Sequence, residues 1–92
     1  MAPERARFIV RGRVQGVNFR AAAAHRASGL GVTGRVWNRE DGAVEFVAEG
    51  DPDALASFER WLGRGPRLAK VSGVERTALE GRPAFGDFRI SG

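Results

Sequence analysis

The chain has 92 residues, of which 42% are hydrophobic and 28% charged, which is the balance of one folded domain over residues 1–92 and not of a disordered segment. It has no cysteine, which excludes disulfides, thiolate nucleophiles and thiolate metal sites. The net charge is +4, but the arginines are mostly scattered among acidic residues, so we do not expect a nucleic-acid partner.

The amino terminus, Met1 to Arg5, lacks the apolar stretch of a signal peptide. No apolar run in the chain approaches the roughly 20 residues that a membrane-spanning helix needs. We therefore expect a cytoplasmic protein without a membrane partner.

The first predicted elements are a strand, a loop and a helix. Apolar residues alternate from Arg5 to Arg13, which predicts a half-buried strand, and a loop follows from Val14 to Asn18. From Phe19 the spacing becomes that of a helix, which ends at Gly29 or Gly31. Four apolar residues of this helix are spaced to share one face: Phe19, Ala23, Ala27 and Leu30.

A hairpin and a second helix come next. Residues from Val32 to Asn38 and from Val44 to Glu49 alternate as strands, and Asp41-Gly42 between them is a turn signal, so these strands should be antiparallel neighbours. Asp51-Pro52 has the residues of a helix N-cap and first helical position. The buried face of this helix is predicted to hold Leu55, Phe58, Trp61 and Leu62, and Gly63 and Gly65 end it.

A fourth strand is predicted within Ala69 to Leu79, and a short last strand from Phe85 to Ile90. The resulting order is strand, helix, strand, strand, helix, strand, with one extra short strand at the end. This order predicts an α+β fold of the ferredoxin-like type, a βαββαβ sandwich whose antiparallel sheet carries both helices on one face.

The segment Gly12–Arg20 combines three features that suit a phosphate. Gly12 and Gly16 permit backbone angles and close approaches that a side chain would forbid. The first turn of the following helix offers N–H groups and a partial positive charge, and Arg20 adds a forked guanidinium. The segment matches neither the Walker pattern nor the dinucleotide-binding pattern. Taken alone, it fits an anion site and a structural turn equally well.

Two blocks carry a resemblance to a known family. The first is Gly12–Arg20, which reads GRVQGVNFR, and the second is Gly34–Glu45, in which Asn38 ends a strand before a glycine-containing turn. In this order they resemble the acylphosphatase family, small enzymes that hydrolyse carboxyl phosphates. The resemblance runs from about Ala6 to Ile90 and implies the same ferredoxin-like fold.

The resemblance implies that Arg20 binds the phosphoryl group and that Asn38 positions the attacking water. Backbone N–H groups of a phosphate-binding loop are expected to hold the same group. This loop consists of Gln15, Gly16, Val17, Asn18 and Phe19. The alternative roles are a surface arginine at a helix start, a turn asparagine and a glutamine that braces the loop.

Elimination reaches the same substrate class if the site is catalytic. His25 is the only histidine, the serines have no base nearby in sequence, and the carboxylates at Glu40, Asp41, Asp51 and Asp53 have structural roles in a turn or at a helix start. We therefore expect neither a metal nor a cofactor. Such a site can release only a leaving group that needs no proton, and a carboxylate, whose acid has a pKa of roughly 4, meets this condition.

The predicted reaction is in-line attack of water on an acyl phosphate, without a metal or a covalent intermediate. The expected ligands are small acyl phosphates and, in the same site, inorganic phosphate or other anions, bound by a monomer. Two other readings stay open. An RNA-binding module is one, although the aromatic motif of an RNA-recognition domain is absent. The other is an accessory domain like that of large hydrogenase-maturation carbamoyltransferases. The chain stops just after the domain, so we expect a free-standing enzyme instead.

Overall fold

The computed structural model describes residues 2–91 and consists of a five-stranded sheet on which two helices pack. The helices also contact each other. The elements in chain order are β1 (Glu4–Arg13), α1 (Phe19–Leu30), β2 (Thr33–Asn38), β3 (Val44–Gly50), α2 (Pro52–Leu62), β4 (Lys70–Leu79) and β5 (Phe88–Ile90).

The strands lie in the order β4-β1-β3-β2-β5. Three of the four neighbouring pairs are antiparallel, as the predicted ferredoxin-like fold requires, and that prediction is confirmed. The extra strand β5 differs in two ways from the expectation. It pairs with β2 in parallel, and it spans only Phe88–Ile90, while the Phe85 N–H donates to the Glu49 carboxylate instead of joining the strand. The sheet is therefore mixed.

The core lies between the sheet and the helices and is rich in aromatic rings. Phe58 of α2 is surrounded by Phe8, Phe46 and Phe88 of three strands, with ring centroids 6.2, 5.7 and 5.8 Å away. Edge-to-face contacts at such distances stabilise a core beyond the area that they bury. Trp61, predicted for the buried face of α2, is only partly buried and lies at the rim of this cluster.

Helix α1 presents one phenylalanine and two alanines to the core. Phe19, Ala23 and Ala27 are buried, as their spacing predicts, whereas Leu30 is only partly buried. The helix ends at Gly31, whose φ of 75° lies in the left-handed region, and the Val32 N–H donates to the Ala27 carbonyl at 2.9 Å. This is a Schellman-type ending, which satisfies carbonyls of the last turn. At α2, Asp51 and Pro52 have the predicted positions, although the Asp51 side chain makes no capping hydrogen bond.

Glu49 of β3 is 1% exposed, although the alternating pattern gave no reason to expect a buried charge there. Its carboxylate accepts hydrogen bonds from Arg5 Nε at 2.7 Å and from the N–H groups of Ala84 and Phe85. Burial alone raises the pKa of Glu49, but the Phe85 and Ala84 N–H groups and Arg5 together hold that pKa below its ordinary value. Glu49 thereby attaches the segment that leads into β5 to the middle of the sheet.

Candidate active site

The loop between β1 and α1 is held by apolar side chains at both ends and in its middle. Val14, Val17 and Phe19 are buried in the core. Between them, Gly16 has a φ of 75° and Asn18 a φ of 65°, both in the left-handed region. Loops with residues in this conformation direct successive backbone N–H groups toward one side, where they form concavities that bind anions. The buried side chains therefore flank the two left-handed residues and fix the path of the loop.

Gly12, at the other end of the segment, has a structural reason to be glycine. Its φ is 124°, and a Cβ at this position would overlap the carbonyl oxygen of Lys70 in β4. The register of β1 against β4 also shifts between Arg11 and Gly12. Gly12 thus lets β4 approach the end of β1, and within the loop itself the glycine with a positive φ is Gly16.

The loop forms one wall of a pocket of about 170 Å³ at the end of the sheet. Arg20 reaches it from the first turn of α1, and Asn38 reaches it from the last position of β2. The two residues meet because Val44 of β3 pairs with both Val10 and Asn38, so β1 and β2 end at the same edge. The lining residues are Val14, Gly16, Asn18, Phe19, Arg20, Ala21, Asn38 and Ile90.

Arg20 brings a positive charge to the pocket. Among residues 2–91 no other charged residue lines it, and the first turn of α1 holds no acidic side chain. The first hydrogen bond of the helix joins the Ala22 N–H to the Asn18 carbonyl at 3.1 Å, so the amides just before Ala22 have no acceptor within the helix. A helix N-terminus of this kind attracts anions.

Of the predicted loop residues, Gly16, Asn18 and Phe19 line the pocket, whereas Gln15 and Val17 do not. The side chain of Gln15 instead crosses to the turn between β2 and β3. Its Nε2 donates to the carbonyl oxygens of Arg39 at 2.8 Å and Ala43 at 3.0 Å. Gln15 therefore links the loop that follows β1 to the turn that follows Asn38.

Ion pairs hold that turn in one conformation. Arg39 contacts both Asp41 and Glu45, at 3.1 and 2.8 Å. Asp41 also accepts the Ala43 N–H at 3.1 Å and an Arg11 guanidinium N–H at 3.2 Å. The hydrogen bond from Arg39, followed by that from the Ala43 N–H, lowers the pKa of Asp41 to about 2. Asp41 thus serves the structure of the turn, and Asn38 lies directly before it.

Ile90 is a member of the pocket that sequence reasoning missed. It belongs to β5, pairs with Val36 and is 46% exposed. An apolar residue near the chain end carries no local signal of a site, and only the parallel pairing of β5 with β2 brings it there.

Within residues 2–91, no three His, Cys, Asp or Glu side chains converge as a metal site would require. Neither helix of this part of the chain is long and apolar enough to cross a membrane.

Comparison with known proteins gives a consistent result. The family model described as acylphosphatase matches residues 6–90. An acylphosphatase of Methylococcus capsulatus is 45% identical over 87 residues, which cover 95% of each chain. One of Pseudomonas aeruginosa is 56% identical over 78 residues, 83% of this chain and 86% of that one. The solved structure of an acylphosphatase from Coxiella burnetii superposes with a TM-score of 0.92 at 36% identity, over 98% of this chain and 94% of that one.

Proposed function

The chain belongs to the acylphosphatase family and is thus a hydrolase of acyl phosphates, and we propose that it works by direct in-line attack of water on phosphorus, without a metal ion or a covalent intermediate. The observation that carries the proposal is the meeting of Arg20, Asn38 and the loop at Gly16 in one pocket. Gly16 belongs to the loop after β1, Arg20 to α1 and Asn38 to β2, and their convergence in one pocket supports a shared role.

Binding of the phosphoryl group is the first step. We assign Arg20 and the backbone N–H groups of the loop from Gln15 to Phe19 to its oxygens. The guanidinium can donate two parallel hydrogen bonds, and the helix N-terminus adds partial positive charge. Because buried side chains hold the loop in shape, these donors need little reorganisation when charge develops in the transition state. Inorganic phosphate, the product, would occupy the same position.

Positioning of the water is assigned to Asn38. A neutral amide offers both a donor and an acceptor, so it can orient a water molecule toward phosphorus without removing its proton. The turn after Asn38 is held by Gln15 and by the ion pairs of Arg39, which supports a fixed location of the amide. The proton of the water would pass to a phosphate oxygen or to solvent.

Departure of the acyl group needs no acid. Among residues 2–91, the pocket lining contains no carboxyl, histidine or other group that titrates near neutral pH. A carboxylate leaves unprotonated because its conjugate acid, with a pKa of roughly 4, is already ionised at neutral pH. An alkoxide from an ordinary phosphate ester would need a proton donor. The lining therefore supports acyl phosphates as substrates over phosphate esters.

We extend the proposal to residues 1–92 acting as one domain and as a monomer in the cytoplasm.

The test is hydrolysis of benzoyl phosphate in the presence of EDTA. Arg20→Ala and Asn38→Ala are each expected to lower kcat by roughly a hundredfold or more, as loss of one fixed transition-state donor does. Arg67→Ala and Glu40→Ala, which alter exposed side chains outside the pocket, are the matched controls and should retain turnover. Wild-type activity in both site variants would defeat the assignment, and loss of wild-type activity in EDTA would defeat the metal-free mechanism.

A separate measurement tests whether the reaction passes through a phosphorylated enzyme. With a substrate made chiral at phosphorus by oxygen isotopes, a single displacement by water inverts the configuration, whereas two successive displacements retain it. Inversion is the expected result, and retention would require a phosphorylated enzyme. The pH dependence of kcat/KM should likewise lack an essential enzyme base near neutrality.

A further inference from the structure

A second cleft, of about 280 Å³, lies between the two helices and is lined mainly by arginine. Arg26 enters it from α1, Arg60 from α2 and Arg64 from the turn after α2. Ser57 and Trp61 complete the lining, which contains no carboxylate. The cleft shares no lining residue with the pocket of Arg20 and Asn38. Its size is near the lower end of the range for small-molecule sites, which begins at roughly 300 Å³.

The arginines of this cleft differ from most others in the chain. Among the ion pairs within residues 2–91, the arginines that contact carboxylates include Arg5, Arg11, Arg35, Arg39, Arg76 and Arg89. In the part of the chain that the structure describes, the guanidinium groups of Arg26 and Arg64 have no such pair and no hydrogen bond, and that of Arg60 donates only to the Ser57 hydroxyl at 3.0 Å. Three uncompensated positive charges around one cleft repel one another, and a bound anion would relieve that repulsion.

We propose that the cleft of Arg26, Arg60 and Arg64 binds an oligophosphate, either free or as the triphosphate chain of a nucleotide. Guanidinium groups bind phosphate oxygens through paired, charge-assisted hydrogen bonds, and three of them can engage successive phosphates of one chain. A triphosphate also brings a negative charge of about the size that these three cations can neutralise. A single phosphate would leave part of the cluster uncompensated.

Trp61 provides a direct readout of this site. Its ring lines the cleft and packs against Phe19 and Phe58, at centroid distances of 5.7 and 6.5 Å. Trp37, in β2, is the second tryptophan of the chain. In a Trp37→Phe background, a change in tryptophan fluorescence on titration therefore reports on Trp61 alone.

The experiment titrates sodium tripolyphosphate, ATP and adenosine into the Trp37→Phe protein at low ionic strength, where screening is weak. Tripolyphosphate and ATP are expected to bind with dissociation constants within about tenfold of each other, and adenosine is expected not to bind. Binding should persist when Arg20→Ala is added. It should weaken at least about tenfold for each of Arg26→Gln, Arg60→Gln and Arg64→Gln, as loss of a charge-assisted hydrogen bond does.

The matched control is a triple variant that removes the same amount of charge outside the cleft: Arg7→Gln, Arg13→Gln and Arg82→Gln. All three positions are exposed, and none has an ion pair in the described residues. This triple variant should keep the affinity. The triple variant of the cleft should keep benzoyl phosphate hydrolysis, which separates loss of binding from unfolding and from failure of the proposed catalytic function. Three results would each overturn the proposal: no titration by tripolyphosphate, equal losses in both triple variants, or loss of binding on Arg20→Ala.

Discussion

Gln15 forms a brace of two hydrogen bonds between the loop and the turn. We therefore predict that a change at Gln15 lowers catalysis, although this residue does not line the pocket. Replacing Gln15 by Met keeps the length of the side chain but removes both hydrogen bonds, to the Arg39 and Ala43 carbonyls. Each carbonyl keeps one backbone partner, because the Arg39 N–H donates to Ala43 and the Gly42 N–H to Arg39. The perturbation therefore removes two bonds and leaves no carbonyl without a donor.

The size of the effect follows from that count. Two partly buried hydrogen bonds at about 1 kcal/mol each give a loss of about 2 kcal/mol in the free energy of unfolding. For a domain of this size, that corresponds to a fall in Tm of roughly 8–16 °C. Because Asn38 directly precedes the released turn, we also expect kcat for benzoyl phosphate to fall by about tenfold or more, with a smaller change in KM.

Gln15→Glu is expected to have a larger and pH-dependent effect. A carboxylate faces the same two carbonyl oxygens and can only accept hydrogen bonds, so it should destabilise more than Met at neutral pH. Protonation restores one donor, so the folded-state pKa of the new carboxyl is raised above its ordinary value of about 4.3. The stabilising bond is present below that ordinary value and is lost as the pH rises through the folded pKa.

The assays are urea unfolding across a range of pH and steady-state kinetics on all the variants. Glu40→Gln, an exposed change in the same turn, should alter stability by no more than about 0.5 kcal/mol. If Gln15→Met kept both the stability and the kcat of the wild type, the inferred link between the brace and Asn38 would be refuted.

Two further predictions concern the fold around the site. Glu49→Gln should lower the free energy of unfolding by about 2–4 kcal/mol in urea, because it weakens the bonds to Arg5 and to the segment before β5. Since the folded pKa of Glu49 is lowered, its contribution is present above the ordinary glutamate pKa and is lost as the pH falls through the folded value, so the two proteins should converge in acid. Glu75→Gln, at a side chain that is 61% exposed, is the control, and an equal loss there would contradict the account. Gly34→Ala should cost roughly 3 kcal/mol or more, because Gly34 has a φ of 150° and a Cβ would overlap the Val47 carbonyl. Gly73→Ala, with open space around it, should change Tm little, and similar Tm values for the two alanine variants would exclude this steric explanation.

Most of the fold can be predicted because its signals are local. The alternation in β1 and in the hairpin, the turn signal at Asp41-Gly42 and the helix ending at Gly31 each arise from neighbouring residues. The element order then restricts the topology to few choices. For the site, the glycines and Arg20 of the first block and Asn38 of the second are also visible locally, and their roles in catalysis stay predictions until the variants are measured.

Local sequence patterns could not predict the pairing of β5 or the partners of Gln15. Both depend on contacts between residues far apart in the chain. The parallel pairing of β5 with β2 brings Ile90 to the pocket. This pairing depends on the packing of Phe88 into the core and on the hydrogen bonds of Glu49 to the segment before β5. The side chain of Gln15 is equally able to reach a phosphate or a turn carbonyl as far as its chemistry goes. Only the folded chain brings the Arg39 and Ala43 carbonyls within 3.0 Å of its amide. Such choices rest on geometry that many distant residues create together, and no short window of sequence contains it.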